Sequence, residues 1–506
     1  MLIQASVALI VSAAGPMATS GLKTCTTTGV VQAFRPAMFA AQQDPPSQSQ
    51  AGDTPKAEKK PRKAKAPKVA KPAPDELVDP DAPDTGADIG GGLRFVWKQH
   101  PSLRFGKIAR ADFEMKVQED AHASYPGAQD PNAKNGPLQP FDLHRNRVGI
   151  QGNLFKHVAY EVERELTEKE LTEKDVIAGL TPQSQWKDVD VNANYIKNAQ
   201  IQAGKFKIPF GLDQLTGVTH NDFVYRSLGA RYLAPARDIG AMVHGRFFKR
   251  GLNYWTGVFR HDGDNATSSK IQGGDRTFAA RVTGTPFRKA NVAALHGLEL
   301  GAAFAVSALS DDSFRPNGLR GRTAMSQDTF FEPVYVKGRR HRWEGDVDWT
   351  SGPVSARAEY TLVTDDRLRQ GLGDEDLPDA RGRAWYVSGT WIVTGEGKMR
   401  PVKSDTDFLQ GGIGAVELAG RYERLWFDSA GGGQVRAGDV AFRNPRAENI
   451  LPSGDRVLTL GVNWTLNRFI KLQVNGIREH VEDPQRNPVP NGAAFWSRVL
   501  RLQFVL

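Results

Sequence analysis

From Leu93 onward, apolar and polar residues alternate with a period of two. In "LRFGKIARADFEMKV" the odd positions Leu103, Phe105, Ala109, Phe113, Met115 and Val117 are apolar, with Lys107 the exception. The even positions Arg104, Arg110, Asp112, Glu114 and Lys116 are polar. Strict alternation over this length predicts a strand with one wet face. The pattern recurs: in "VSARAEYTLV", Val354, Ala356, Ala358, Tyr360 and Leu362 oppose Arg357 and Glu359. At the end, "WSRVLRLQFVL" sets Leu500, Leu502, Phe504 and Leu506 against Arg501 and Gln503. Sixteen such segments are predicted, near 103–117, 141–154, 157–166, 187–197, 199–208, 238–249, 251–260, 275–286, 295–308, 333–349, 353–364, 383–394, 413–427, 456–466, 469–480 and 493–506. Turn-rich stretches such as "HDGDNATSSKIQGGD" separate them. "ERELTEKELTEKDVIAGL" has helical character and predicts a short helix in a loop.

Many strands with one apolar and one polar face, joined by alternating short and long connections, describe a transmembrane antiparallel β-barrel. Only closure satisfies every strand edge inside lipid. A large soluble sandwich or propeller is the rival. Against it, the charged faces are too regular for a soluble core. Aromatics also cluster near strand ends (Trp343, Trp349, Trp385, Trp391, Trp426, Trp464, Trp496), as an interfacial girdle requires. The fold class predicted is therefore all-β: a barrel of about 16 strands behind a disordered leader and linker.

Composition narrows this picture. No run of eighteen apolar residues occurs in the 506-residue chain, which excludes a helical membrane protein but not a barrel. The opening "MLIQASVALIVSAAGP" resembles the apolar core of a secretory signal, although it lacks a positive n-region. Residues 1–41 are read as leader, with cleavage after Ala14 or near Ala37–Gln43. Cys25 is the single cysteine, so there is no disulfide framework and no thiolate metal site. Its "LKTC" context is a poor lipoprotein box because Lys23 is too large. Residues 42–92, rich in Pro, Ala and Lys and then acidic, have almost nothing to bury and read as an extended linker. Peptidoglycan contact by this linker, with a cell-wall-binding or adhesion role, is one alternative reading.

The net charge is +9, and nearly all the excess lies in residues 91–506. No zinc-finger, helix-turn-helix or RNA-binding motif accompanies it, so nucleic acid is excluded as a partner. No Ser/His/Asp arrangement, Gly-x-Ser-x-Gly or His-Glu-x-x-His motif appears, and the ten His are dispersed. The reading is of a protein that is not an enzyme and needs no metal or cofactor. Small anions and outer-membrane lipid are the partners that remain.

If apolar faces meet lipid, the alternate positions meet the lumen. Parity then sends inward Arg104, Arg110, Arg145, Arg147, Arg246, Arg281, Arg340, Arg342, Arg357, Arg421, Lys471 and Arg501. Acids such as Asp112, Glu163, Glu344, Glu359 and Glu423 join them, so the wall is mixed. Cationic donors at a narrow, low-dielectric passage select anions, and the planar fork of arginine suits oxyanions. A general porin also opposes arginines and acids, so wall arginines alone leave both readings open. "RSLGARYLAPARDIG" (226–240) gathers Arg226, Arg231 and Arg237 between the fifth and sixth candidate strands, in a loop able to fold into the pore. Asp238 is the counter-ion expected for Arg237.

Longer strings carry a resemblance. "HRNRVGIQGNLFKHVAYEVERE" (144–165), "IQAGKFKIPFGLDQLT" (201–216), "YRSLGARYLAPARDIGAMVHGRFF" (225–248) and "GLNYWTGVFRHDGDN" (251–265) resemble the phosphate-selective porin O/P family. "LTLGVNWTLNRFIKLQVNGI" (458–477) does too, and the likeness spans 93–506, the domain read as barrel. It implies a sixteen-stranded outer-membrane barrel of a Gram-negative bacterium, a homotrimer, with loops folded inward to narrow the pore. It also implies passage of phosphate or polyphosphate past an arginine-lined constriction. Matching blocks put Arg226 and Arg237 in "RSL…PxR", Arg145 and Arg147 in "RxRxGxxG", and Lys205 and Lys207 in "GKFKxPFG". With Arg231, Arg246, Arg281 and Arg357, these are the candidate anion-binding residues. Three departures stand out: Tyr225 replaces an expected glutamate before "RSL", leaving Arg226 without that counter-ion. The chain ends on Leu506 instead of an aromatic, and a long Lys/Pro linker precedes the barrel.

Overall fold

In a computed structural model of the chain, the described residues are 87–88, 92–97, 100–106, 108–126, 128, 140–167, 185–263, 276–309, 316–408, 410–430 and 444–506. The leader, nearly all of the linker and most of the predicted helix (168–180) lie outside them. Glu163–Glu165, at the start of that predicted helix, are instead the end of a strand.

Sixteen antiparallel strands form the barrel wall. They are β1 (Ala109–Ala123), β2 (Phe141–Leu154), β3 (Val158–Glu165), β4 (Trp186–Ala193), β5 (Gln200–Lys207), β6 (Arg237–Phe247), β7 (Leu252–Phe259) and β8 (Thr277–Gly284). After them come β9 (Leu298–Leu309), β10 (Gly338–Ser351), β11 (Val354–Arg367), β12 (Leu377–Ile392), β13 (Ala415–Ser429), β14 (Ser453–Thr465), β15 (Ile470–Val481) and β16 (Phe495–Val505). Each pairs with its sequence neighbours, and β16 pairs with β1 from Val505↔Lys116 to Arg498↔Ala123. Leu506 completes the seam by exchanging backbone hydrogen bonds with Met115 at 2.8 and 3.1 Å.

The first predicted strand needs correction. Residues 103–117 divide between a strand Pro101–Phe105 and β1, with Gly106 at φ +51° in the turn between them. Alternation hid the break because the turn preserves parity across it. Pro101–Phe105 pairs with Leu93–Trp97 on one side and with Ala109–Asp112 on the other. This small meander covers the part of the β1 edge that β16 does not reach, so no open edge is left there.

Burial confirms the parity and inverts the soluble rule. Outward residues such as Val387 (55 % exposed), Leu460, Val474, Tyr360 and Tyr422 are exposed, while inward Asp365, Glu423, Arg501 and Gln473 are buried. Exposed apolar and buried charged faces fit a wall with lipid outside. Trp343, Trp391 and Trp496 lie among the exposed aromatics.

Gly152 of "RxRxGxxG" shows why that motif needs its glycine. The Tyr160 hydroxyl reaches across the wall to donate to the Arg110 carbonyl at 3.0 Å, and a β-carbon on Gly152 would overlap that same oxygen. Gly152→Ala is expected to cost roughly 1–3 kcal/mol through overpacking. A lower denaturation midpoint in detergent micelles checks this, with Gly420→Ala, where the nearest atom is 3.7 Å away, as the tolerant control.

Candidate functional site

The segment 208–236 between β5 and β6 turns into the barrel. It carries two short helices, α1 (Leu212–Leu215) and α2 (Leu228–Tyr232), the second capped by Ser227 accepting from the Ala230 N–H. Its backbone groups, far from any sheet partner, bond to inward side chains of the opposite wall. The Glu359 carboxylate accepts from Asp213 N–H (3.0 Å), Asn475 from Val224 N–H (2.8 Å) and Glu423 from Leu228 N–H (2.6 Å). Donors serve its carbonyls: Lys471 to Asn221, Asn463 to Asp222, Arg501 to Val224, Arg421 to Tyr225 and Arg342 to Leu233, at 2.8–3.1 Å. A buried polar wall and an irregular loop thus satisfy each other.

This changes what parity predicted. Arg342, Arg421, Lys471 and Arg501 do point inward, but they meet protein and act as anchors. Val224, Leu228 and Leu233 also pack with Phe330, Phe331 and Phe427 in an apolar cluster inside the barrel, with Phe331 stacked on Phe427 at 4.2 Å. Phe330 and Phe331 come from a small hairpin (Gly321–Arg322 with Thr329–Phe331) between β9 and β10.

From below, the long turn 393–414 holds the loop. Lys398 is buried and pairs with Asp222 (2.6 Å) and Glu417, while Arg400 lies 3.9 Å from Asp222 and 3.1 Å from Asp348. Burial alone would raise the Asp222 pKa, but Lys398, then Arg400 and Arg357, hold it below the usual carboxylate range. Sequence reading missed Lys398 and Arg400 because "GEGKMRPVKSD" has no periodicity to place it.

On the loop's other side, several predicted cations come together. Arg226 Nη2 donates to the Thr216 carbonyl at 2.6 Å, and Lys207 Nζ donates to the same carbonyl at 3.2 Å and to Leu215 O at 3.0 Å. Among the described residues Lys207 makes no ion pair. Arg147 bonds Glu163 (2.8 Å) and Glu165 (2.7 Å), and Arg145 bonds Gln118 with Glu165 4.0 Å away. Burial draws the Arg226 pKa below its ordinary value; Asp213 opposes this, while Arg237 and Arg147 add like-charge repulsion. Five cations from three wall strands and one loop therefore share one field.

Two expectations are corrected here. Asp188, not Asp238, holds Arg237, through bonds of 2.6–3.0 Å. Asp238 instead accepts the backbone N–H groups of Ile239, His261 and Gly263. Arg226 does have a counter-ion, Asp213 at 3.9 Å, although Asp213 also accepts from Ser227 N–H at 2.7 Å. Tyr225 lies under Arg231 and Arg501 at 5.6 and 5.9 Å.

The remaining candidates stand elsewhere. Arg231 donates to Ala324 O in the hairpin segment. Arg281 is buried between Glu344 (2.8 Å) and Asp346 (2.7 Å). Arg357 pairs with Asp348 at 3.1 Å and lies 3.4 Å from Thr216 Oγ1. Arg246 is half-buried near the end of β6. Lys205 is buried, although its register partners Val189 and Ile239 are exposed outer-face residues.

A closed sixteen-stranded wall with a loop anchored across its interior defines a porin. The chain belongs to the phosphate-selective porin O and P family, whose pattern matches residues 115–506. Among solved structures, it is similar to the trimer form of OmpT from Vibrio cholerae, at 12% identity over 79% of this chain and 100% of that one, TM-score 0.48. It is also similar to an anion-selective porin from Comamonas acidovorans (13% identity, 79% and 100% covered, TM-score 0.45). The outer-membrane channel DcaP of Acinetobacter baumannii gives 11% identity, 79% and 97% coverage and TM-score 0.48. No curated protein matches the chain. Family and fold make it an outer-membrane channel of a Gram-negative bacterium.

Proposed function

We propose that the channel passes small anions, phosphate foremost, along the cationic side of loop 208–236. The observation that carries this reading is the convergence of Lys207 and Arg226 on one carbonyl, with Arg145, Arg147 and Arg237 nearby. A carbonyl is a weak counter-charge for two cations, and Asp213, 3.9 Å from Arg226, is also engaged by Ser227 N–H. The Arg226 Nη1 donor is covered by protein yet has no hydrogen-bond partner among the described residues, so an oxyanion reaching it gains charge-assisted bonds. The neighbouring acids Glu163, Glu165 and Asp188 limit the field, which lets the ion leave again, as conduction requires.

Those same acids favour a second reading, a general porin whose ion pairs merely order water. Single-channel recording in chloride, followed by added phosphate, separates the two. Block of the chloride current at sub-millimolar phosphate supports the selective pathway, and indifference sinks it. A homotrimer is the assembly proposed with this function, on the family resemblance, and cross-linking in native membranes tests it.

A further inference from the structure

Four successive turns at one rim, which join β2 to β3, β4 to β5, β6 to β7 and β8 to β9, repeat one chemistry. Each presents an exposed large apolar residue with a lysine one or two positions later: Phe155–Lys156, Tyr195–Lys197, Phe248–Lys249 and Phe287–Lys289. Phe248 is 81 % exposed and Phe155 69 %. None of these turns (155–157, 194–199, 248–251, 285–297) contains Asp or Glu. The opposite side of the rim differs: turn 393–414 balances Glu396, Asp405 and Asp407 against Lys398, Arg400 and Lys403, turn 352–353 carries no charge, and turn 466–469 carries Arg468 but no lysine. The net positive charge is thus concentrated in an arc over one half of the rim.

Geometry ties the arc to the lipid-facing wall. Leu154 precedes Phe155 and Phe247 precedes Phe248, and both are exposed outer residues of their strands. The apolar surface therefore runs from the wall to the turn tip, and the lysine sits one step beyond it. Arg288 donates to the Lys249 carbonyl, which joins two of the turns. Phe247 stacks on Tyr254 at 5.8 Å, and Tyr195 lies against His157 at 5.0 Å. A bulky apolar residue beside a lysine, at the boundary of an apolar band, fits acyl chain and headgroup together. A soluble acidic partner needs only the lysines.

We propose that this arc binds anionic phospholipid headgroups of the leaflet at the short-turn end, which in such barrels is the periplasmic one. Each lysine near an anionic surface contributes about 1 kcal/mol, roughly fivefold in affinity. The test uses full-length protein in mixed micelles of phosphatidylglycerol and phosphatidylethanolamine, with retained lipid counted by native mass spectrometry. In the variant Lys156→Gln/Lys197→Gln/Lys249→Gln/Lys289→Gln, retained phosphatidylglycerol is expected to fall at least tenfold. Phosphatidylethanolamine and chloride conductance should stay unchanged, and the matching Lys→Arg set should keep phosphatidylglycerol. Unchanged phosphatidylglycerol in the glutamine variant overturns the proposal. So does parallel loss of both lipids, which assigns retention to the apolar residues alone. Loss confined to co-sedimentation with peptidoglycan also overturns it and makes the arc a cell-wall contact.

Discussion

Arg226→Gln raises the phosphate concentration that half-blocks the chloride current by roughly tenfold to a hundredfold, the worth of a charge-assisted hydrogen bond of about 1.5–3 kcal/mol. The expectation follows from where Arg226 sits. It is half-buried, it shares the Thr216 carbonyl with Lys207, and its near carboxylate Asp213 is also engaged by Ser227 N–H. Lys207→Gln should weaken block comparably. The double variant should lose less than the product of the two, because both side chains address one spot. Arg456→Gln provides the control: it removes the same formal charge from an exposed outer position bonded to Glu482. Equal effects of Arg456 and Arg226 would mean that only net charge matters, and the local pathway would be abandoned.

Asp120→Ala is expected to cost the folded barrel about 3–5 kcal/mol, the usual consequence of stranding one partner of a buried ion pair. Arg501 gives Asp120 two bonds, at 2.6 and 2.7 Å, and gives the Val224 carbonyl a third at 2.9 Å. One guanidinium thus clips the first strand, the last strand and the loop at a single point. Guanidinium unfolding in micelles, followed by tryptophan fluorescence, measures the loss. Asp120→Ala/Arg501→Met should recover part of it, since no uncompensated charge is then left inside. A single-variant cost below about 1 kcal/mol would show that Arg501 is solvated from the pore.

The wall was legible in the sequence because a strand between lipid and protein must alternate, and β2, β11 and β15 fell within a residue or a few of their predicted ranges. Boundaries failed where parity survives a turn, as at Gly106. Arg145, Arg147, Lys207, Arg226 and Arg237 could be named from motifs, yet their partners could not. Asp238 looked like the counter-ion of Arg237 because it is adjacent in the chain, but its carboxylate is taken by three backbone N–H groups. Asp188 lies 49 positions away and reaches Arg237 only through barrel register. Parity told which wall residues face inward but not what they face. That depends on a loop whose own sequence has no period, and on Lys398 and Arg400 in a turn without one.

The loop also has a mechanical consequence. A hollow cylinder of sheet flattens easily under uneven lateral pressure, because bending the wall breaks no hydrogen bonds. Segment 208–236 is fastened to β10, β11, β13, β14, β15 and β16 while its two ends are rooted in β5 and β6, so it works as a strut across the drum. Squeezing the bilayer would have to shear these polar fastenings before the cross-section could become oval. The bore is thus held constant by the polar fastenings between this segment and the wall.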